Sequence, residues 1–275
     1  DGGTGPTTPD SDGDPTTTNP TAVVDEDGLP GGIAGGVGDV AGENTVASGT
    51  LGYSFGTDGP AANGAFTWRL AGLPSDLETA DGRAVTFTLG NAGSTIVGLA
   101  SDGSGGTEQV ITITLTDQAS GTYQVTLHQP LEHSPGNGEN DLGFFAGYTI
   151  TDADGSQANG FLSVVVDDDT PHASDAQDGL LASGTVNFGD IAGADGIKSV
   201  QFGAGLNGAE VKSASGGMLL TSNGESLTYQ LSGDGKTLQA KTAGGDVAFE
   251  VSLAADGSTY EVEVIDEGLR AFDDA

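Results

Sequence analysis

The chain holds 275 residues, with 7 Lys+Arg against 40 Asp+Glu, a net charge of −33 at neutral pH, and no cysteine. This charge repels nucleic acid and anionic membrane surfaces and favours cations as partners, while the missing cysteines exclude disulfides, thiolate zinc sites and cysteine nucleophiles. No apolar run approaches the roughly 20 residues that span a bilayer, so direct membrane insertion by a helix is not expected.

Residues 1–20, "DGGTGPTTPDSDGDPTTTNP", carry no large apolar side chain and read as an extended linker stiffened by Pro6, Pro9, Pro15 and Pro20. Within it Asp10, Asp12 and Asp14 alternate as in calcium loops, but Pro15 stands where an EF-hand loop needs glycine. No basic segment leads into an apolar core, and a chain opening on Asp1 is expected to be a piece of a longer protein.

From Thr21 the pattern has period two. In "AVTFTL" Val85, Phe87 and Leu89 share one face; in "ITITLT" Ile111, Ile113 and Leu115 oppose Thr112, Thr114 and Thr116. "TYQVTLH" and "FLSVVV" behave alike, and "AFTWRL" places Phe66, Trp68 and Leu70 on one face, which reads as core. Turn signals such as "TDGP", "SDGSGG", "SPGNG" and "DADG" separate these runs. The expected fold is all-β, built of antiparallel β-sandwich modules of immunoglobulin-like or Greek-key type. The 48 glycines suit tight turns that need positive φ.

The chain also repeats itself. "ASGT" at 47–50 returns at 182–185, "DGRAVTFTL" (81–89) as "NGESLTYQL" (223–231), and "VITITLTDQASGTYQVTLHQPL" (110–131) as "VAFEVSLAADGSTYEVEVIDEGL" (247–269). Two tandem modules are expected, a first sandwich at 21–171 and a second at 172–275. The second lacks a counterpart to "ENDLGFFAGYTITDADGSQANGFLSVVVDDDTP" (139–171), so it is expected to be incomplete or split, without its closing strands.

Acids gather at matching places. The first module opens with Asp25, Glu26 and Asp27, turns through Asp152 and Asp154, and closes with Asp167, Asp168 and Asp169; the second opens with Asp175. Adjacent carboxylates repel by about 1 kcal/mol per close pair even in water-like dielectric, and a divalent cation reverses the sign. Calcium suits them, because it takes 6–8 oxygens in flexible geometry, whereas magnesium demands near-octahedral order. These nine residues are the candidate ligands, sited where a cation would stiffen the joint between neighbouring modules.

"AVVDEDGLPGG" (22–32), "YTITDADGSQANG" (148–160) and "VVVDDDTP" (164–171), in that order, closely resemble the long type I secretion repeat of giant repeats-in-toxin (RTX) adhesins of Gram-negative bacteria. The resemblance covers 21–171 well and 172–275 as a truncated copy. It implies Ca2+-stabilised sandwiches, export by type I secretion to the cell surface, and a place in the adhesive region of a protein serving cell adhesion or biofilm formation. Partners would be neighbouring adhesin domains, including an inserted lectin-like module that splits a sandwich. Where the family carries a further acid after "DADG", this chain has Ser156.

Other motifs carry less. "GGIAGGVGDVAG" (31–42) lacks the aspartate of the calcium-binding nonapeptide, since Val40 stands in its place. "GYSFG" (52–56) fits a hydrolase elbow, but that serine needs a strand-to-helix turn and Ser54 lies in an all-β pattern. His128, His133 and His172 read as polar surface. The expected function is non-enzymatic: a monomeric, calcium-rigidified segment that extends and presents a binding module. The alternative makes the segment itself a calcium-dependent receptor for a host-surface sugar or peptide.

Overall fold

The period-two runs form strands, and positive-φ glycines such as Gly59, Gly121 and Gly155 turn the chain between them. The computed structural model describes residues 14–33, 44–134, 140–169, 183–186, 193–194, 196–212, 220–266 and 268–271. The protein is all-β. It divides into two units: Asp1–His172 with Asp190–Gly196, and Ala173–Gly189 with Ile197–Ala275. Segment 190–196, expected inside the second module, thus belongs to the first unit.

The first unit contains β1 (Thr16–Thr18), β2 (Thr21–Asp25), β3 (Val46–Thr50), β4 (Gly52–Ser54), β5 (Phe66–Arg69), β6 (Thr86–Gly90), β7 (Thr95–Ser101), β8 (Thr107–Asp117), β9 (Thr122–Leu127), β10 (Leu142–Thr151) and β11 (Gln157–Asp167). A four-stranded sheet runs β2-β11-β10-β5, a five-stranded sheet runs β3-β9-β8-β7-β6, and β1 pairs with β4. The inward residues of both sheets form one core, in which Trp68, Tyr148, Ile96, Ile113, Leu127, Leu162 and Val164 are buried. Thr112, Thr114 and Thr116 turn outward, as β8 alternation requires.

Four expectations need correction. Residues 16–18 are a strand rather than open linker, because Tyr148 Oη meets the Thr18 and Gly52 carbonyls at 2.7 and 2.8 Å and Phe161 N donates to Asn19 Oδ1 at 3.1 Å. The sandwich is not wholly antiparallel, for β2 pairs in parallel with β11, Thr21 opposite Ser163 through Asp25 opposite Asp167. Parallel neighbours need a long connection, and here the rest of the unit supplies it. Leu70 leaves the core face because β5 ends at Arg69, and Leu89 near the end of β6 is exposed too.

The second unit contains β12 (Gly184–Thr185), β13 (Leu220–Ser222), β14 (Glu225–Ser226), β15 (Thr228–Leu231), β16 (Thr237–Lys241), β17 (Val247–Leu253), β18 (Thr259–Val264) and β19 (Leu269–Ala271). Its five-stranded sheet, β12-β18-β17-β16-β15, repeats the connectivity of β3-β9-β8-β7-β6. Even the close packing recurs: a Cβ on Gly49 would stand 2.6 Å from Tyr123 Oη, and one on Gly184 2.8 Å from Tyr260 Oη. Only glycine lets each tyrosine ring lie across the neighbouring strand.

Among the described residues the second unit has no counterpart of the four-stranded sheet; its other sheet is the short β14-β13-β19. Val251, Leu253, Tyr260 and Val262 are half-buried where Ile113, Leu115, Tyr123 and Val125 are buried. Among the described residues the buried core is the small cluster Val211, Leu227, Ala240, Ala248 and Phe249, with Leu238 also buried.

Burial sets the ranking of stabilities. In urea the second unit should unfold first, seen as a circular-dichroism transition that precedes the fluorescence change of Trp68, the single tryptophan, which lies in the first core. One coincident transition would contradict this. Tyr148→Phe should lower the stability of the first unit, read by Trp68, by about 1–2 kcal/mol through the lost tie to β1 and β4.

Candidate metal centre

The strands of the first unit carry acids only near their ends: Asp25 closes β2, Asp167 closes β11, and Glu108 and Asp117 lie at the two ends of β8. Carboxylates avoid the packed faces, so the expected ligands collect at opposite ends of β11. Its 11 residues hold the two groups roughly 35 Å apart.

The first group forms where β2 and β11 end side by side. Asp25, Glu26, Asp167, Asp168 and Asp169 are all buried, and the parallel register sets Asp25 opposite Asp167. Asp25 caps the 3-10 turn Glu26–Gly28, its Oδ1 accepting from Asp27 N at 2.7 Å. The Glu26 carboxylate is fully buried. Its Oε1 accepts from Leu131 N at 2.8 Å and lies 3.2 Å from His133 Nε2, while Oε2 has no hydrogen-bond partner.

His133 corrects the reading of a surface histidine, for its side chain is only 4 % exposed. Nδ1 stands 2.6 Å from the Asn140 carbonyl and 3.9 Å from Asp168 Oδ1, so both ring nitrogens face acceptors and both carry protons. Burial alone would pull its pKa down. The hydrogen bonds to Glu26 and Asn140 and the charges of Glu26 and Asp168 outweigh burial and push it up to about 9. Protonated on both nitrogens, His133 is a cation beside Glu26 and Asp168, at an end where five carboxylates are buried.

Asp168 also accepts from Asn140 N at 3.3 Å and Asp169 N at 3.0 Å; Asp169 Oδ2 accepts from Ile33 N at 3.2 Å and Ala194 N at 2.6 Å. Asp25, Asp27, Asp167 and Asp169 bring no three ligand atoms within 4.8 Å of one another among the described residues. Glu26 and Asp168 do converge, with His133 as the third member.

The second group is oxygen-only. Asp58, Asp152 and Asp154 bring ligand atoms within 4.8 Å of one another, and all three are carboxylates. Asp152 is buried at the β10–β11 turn, where its Oδ1 accepts from Gly155 N at 3.0 Å and Ser156 N at 2.7 Å. Ser156 N also reaches Asp154 Oδ1 at 3.1 Å, and the buried Ser156 Oγ has no partner. Burial and the hydrogen bond with Asp154 raise the Asp152 pKa, against the opposing Ser156 amide. The turn after β4 delivers Asp58 through the Pro60–Asp152 bridge and a 3.0 Å bond from Ala153 N to Gly59 O. This set matches the donors calcium prefers.

Sequence reasoning missed two members, Asp58 and His133. "TDGP" is visible as a turn, but only the bridge to Asp152 shows which carboxylates it meets. Asp175, Asp10, Asp12 and His172 lie outside the described residues. Ser54 ends β4 with no helix after it.

A protein-family profile described as a domain of unknown function, DUF5801, matches residues 21–165, more than half of the chain. The chain belongs to the DUF5801 family. No curated protein and no solved structure matches it. The DUF5801 span takes in both sheets of the first unit and the whole Asp58–Asp152–Asp154 group, and stops just short of Asp167.

The histidine supplies a pH test. An unfolded histidine releases its proton near 6.5, the folded His133 near 9. Its stabilisation is therefore complete below about pH 6.5 and lost as pH rises through about 9. In calcium-free buffer the first unit, read by Trp68 fluorescence in urea, should lose roughly 3 kcal/mol across this window. His133→Gln should flatten the dependence; an unchanged slope in the variant would refute the assignment.

Proposed function

We propose that the chain is a non-enzymatic, calcium-rigidified structural and ligand-presenting segment of a secreted bacterial RTX adhesin, serving cell adhesion or biofilm formation at the cell surface. The observation that carries this reading is the excess of buried carboxylate at the ends of the first unit. Asp25, Glu26, Asp167, Asp168 and Asp169 are buried together, His133 lies beside Glu26 and Asp168, and Glu26 Oε2 has no hydrogen-bond partner among the described residues. Leaving such charge uncompensated in low dielectric costs several kcal/mol per ion, which a hard divalent cation offsets. The Asp58–Asp152–Asp154 group offers three carboxylates at the opposite end.

The adhesin assignment draws on the ordered motifs around Asp25, Asp152 and Asp167 and on type I secretion as their implied route. Calcium acts through linkage: it binds the folded state and stabilises it by RT ln(1 + [Ca]/Kd). Extracellular modules hold Kd near 10⁻⁴–10⁻³ M, so the segment stays loose before export and stiffens outside the cell. Cations at both ends of a sandwich stiffen its junctions with neighbouring domains.

Thermal melts in EDTA, in several millimolar calcium and in equal magnesium test this. Calcium should raise the melting temperature of the first unit by several degrees and magnesium by much less. Asp152→Asn and Asp167→Asn should each cut the calcium increment. A calcium shift no larger than that of magnesium would sink the proposal.

A further inference from the structure

Segment 190–196 belongs by sequence to the second repeat and by contact to the first unit, while the chain on either side of it belongs to the second unit. Within it Gly193-Ala194-Asp195-Gly196 repeats Gly56-Thr57-Asp58-Gly59. The glycine backbones agree, with φ of 70° and 73° at Gly56 and Gly193 and 77° and 74° at Gly59 and Gly196. In the first copy this turn lies against the acidic β10–β11 turn. In the second copy it lies against an acidic strand end.

The contact is specific. Ala194 N donates to Asp169 Oδ2 at 2.6 Å, and Ile33 N donates to the same oxygen at 3.2 Å. One carboxylate thus joins the end of β11, the chain after the Glu26–Gly28 turn and the Gly193–Gly196 turn. The fit leaves no room at one glycine: a Cβ on Gly193 would stand 2.9 Å from Asp169 Oδ2, whereas one on Gly196 would meet nothing within 4 Å.

We infer that the Gly193–Gly196 turn is a clasp on the acidic end of the first unit: the Ala194 amide positions Asp169, whose own amide donates to the converging Asp168, so cation binding beside Glu26 and Asp168 and seating of the turn are coupled. This rests on the cation reading proposed above. A cation that favours the oriented carboxylate tightens the clasp, and by reciprocity a loosened clasp weakens the cation by the same factor. Contacts that orient a ligating carboxylate typically carry about 10–100-fold in metal affinity. Ala194 and Gly193 are positioning residues here.

The pair Gly193→Ala and Gly196→Ala tests it in the full chain, since both add a Cβ at positive φ and only the first meets Asp169. Calcium titration calorimetry should show about tenfold weaker binding for Gly193→Ala and wild-type affinity for Gly196→Ala. Amide hydrogen exchange should show calcium protecting Ala194 and Ile33 in the wild type and in Gly196→Ala, but not in Gly193→Ala or Asp169→Asn. Equal losses in both glycine variants, or wild-type affinity in Gly193→Ala, would overturn the clasp while leaving the cation reading intact. A wild-type chain that takes up no calcium would overturn the cation reading, and the coupling with it.

Discussion

Like charge withdrawn from water is the constraint on which the first unit depends. Five carboxylates are buried where β2 and β11 finish side by side, and the parallel register that sets Asp25 opposite Asp167 leaves them no route apart. The protein has few internal means of neutralising them, because its 7 basic residues face 40 acids. His133 is one such means, tied to the Asn140 carbonyl and Glu26 and lying near Asp168. Backbone amides are another, donating to Asp168 from Asn140 and Asp169 and to Asp169 from Ile33 and Ala194.

What could be read from the sequence divides along a physical line. Strands, turns, the internal repeat and the crowding of acids at strand ends are properties of neighbouring residues, and period two together with glycine spacing exposes them. The pairing of β2 with β11 joins residues well over a hundred positions apart, and no local pattern encodes its direction. His133 reads as a loop residue because its partners, Glu26 and Asp168, come from distant strand ends. Asp58 escapes for the same reason. Leu70 shows the opposite error, where a sound alternation outlasts the strand that would bury it.

The two five-stranded sheets form a natural comparison, the same connectivity and the same glycine–tyrosine packing set in different surroundings. Where a second sheet covers the inward face, Ile113, Leu115 and Val125 are buried; where the described residues add only β14-β13-β19, Val251, Leu253 and Val262 remain half-exposed and Val264 is 48 % exposed. Strand pairing therefore specifies the sheet in both copies, while stability depends on what lies across it. Backbone order and thermodynamic strength are separable in this chain.

The direction of β2 has a mechanical meaning. The chain enters the β2–β11 pair at Thr21 and leaves it at Asp167, at opposite ends of two parallel strands. Tension drawn through the first unit therefore acts along both strands and across the hydrogen bonds that join them. Such bonds are loaded together, in shear, and must yield as a set, whereas a hairpin pulled from its open end peels one rung at a time. Rupture under load is governed by an unfolding rate, and a sheared pair places that rate behind the simultaneous loss of the whole ladder. The fold thus resists pulling most strongly along the line on which the polypeptide passes through it.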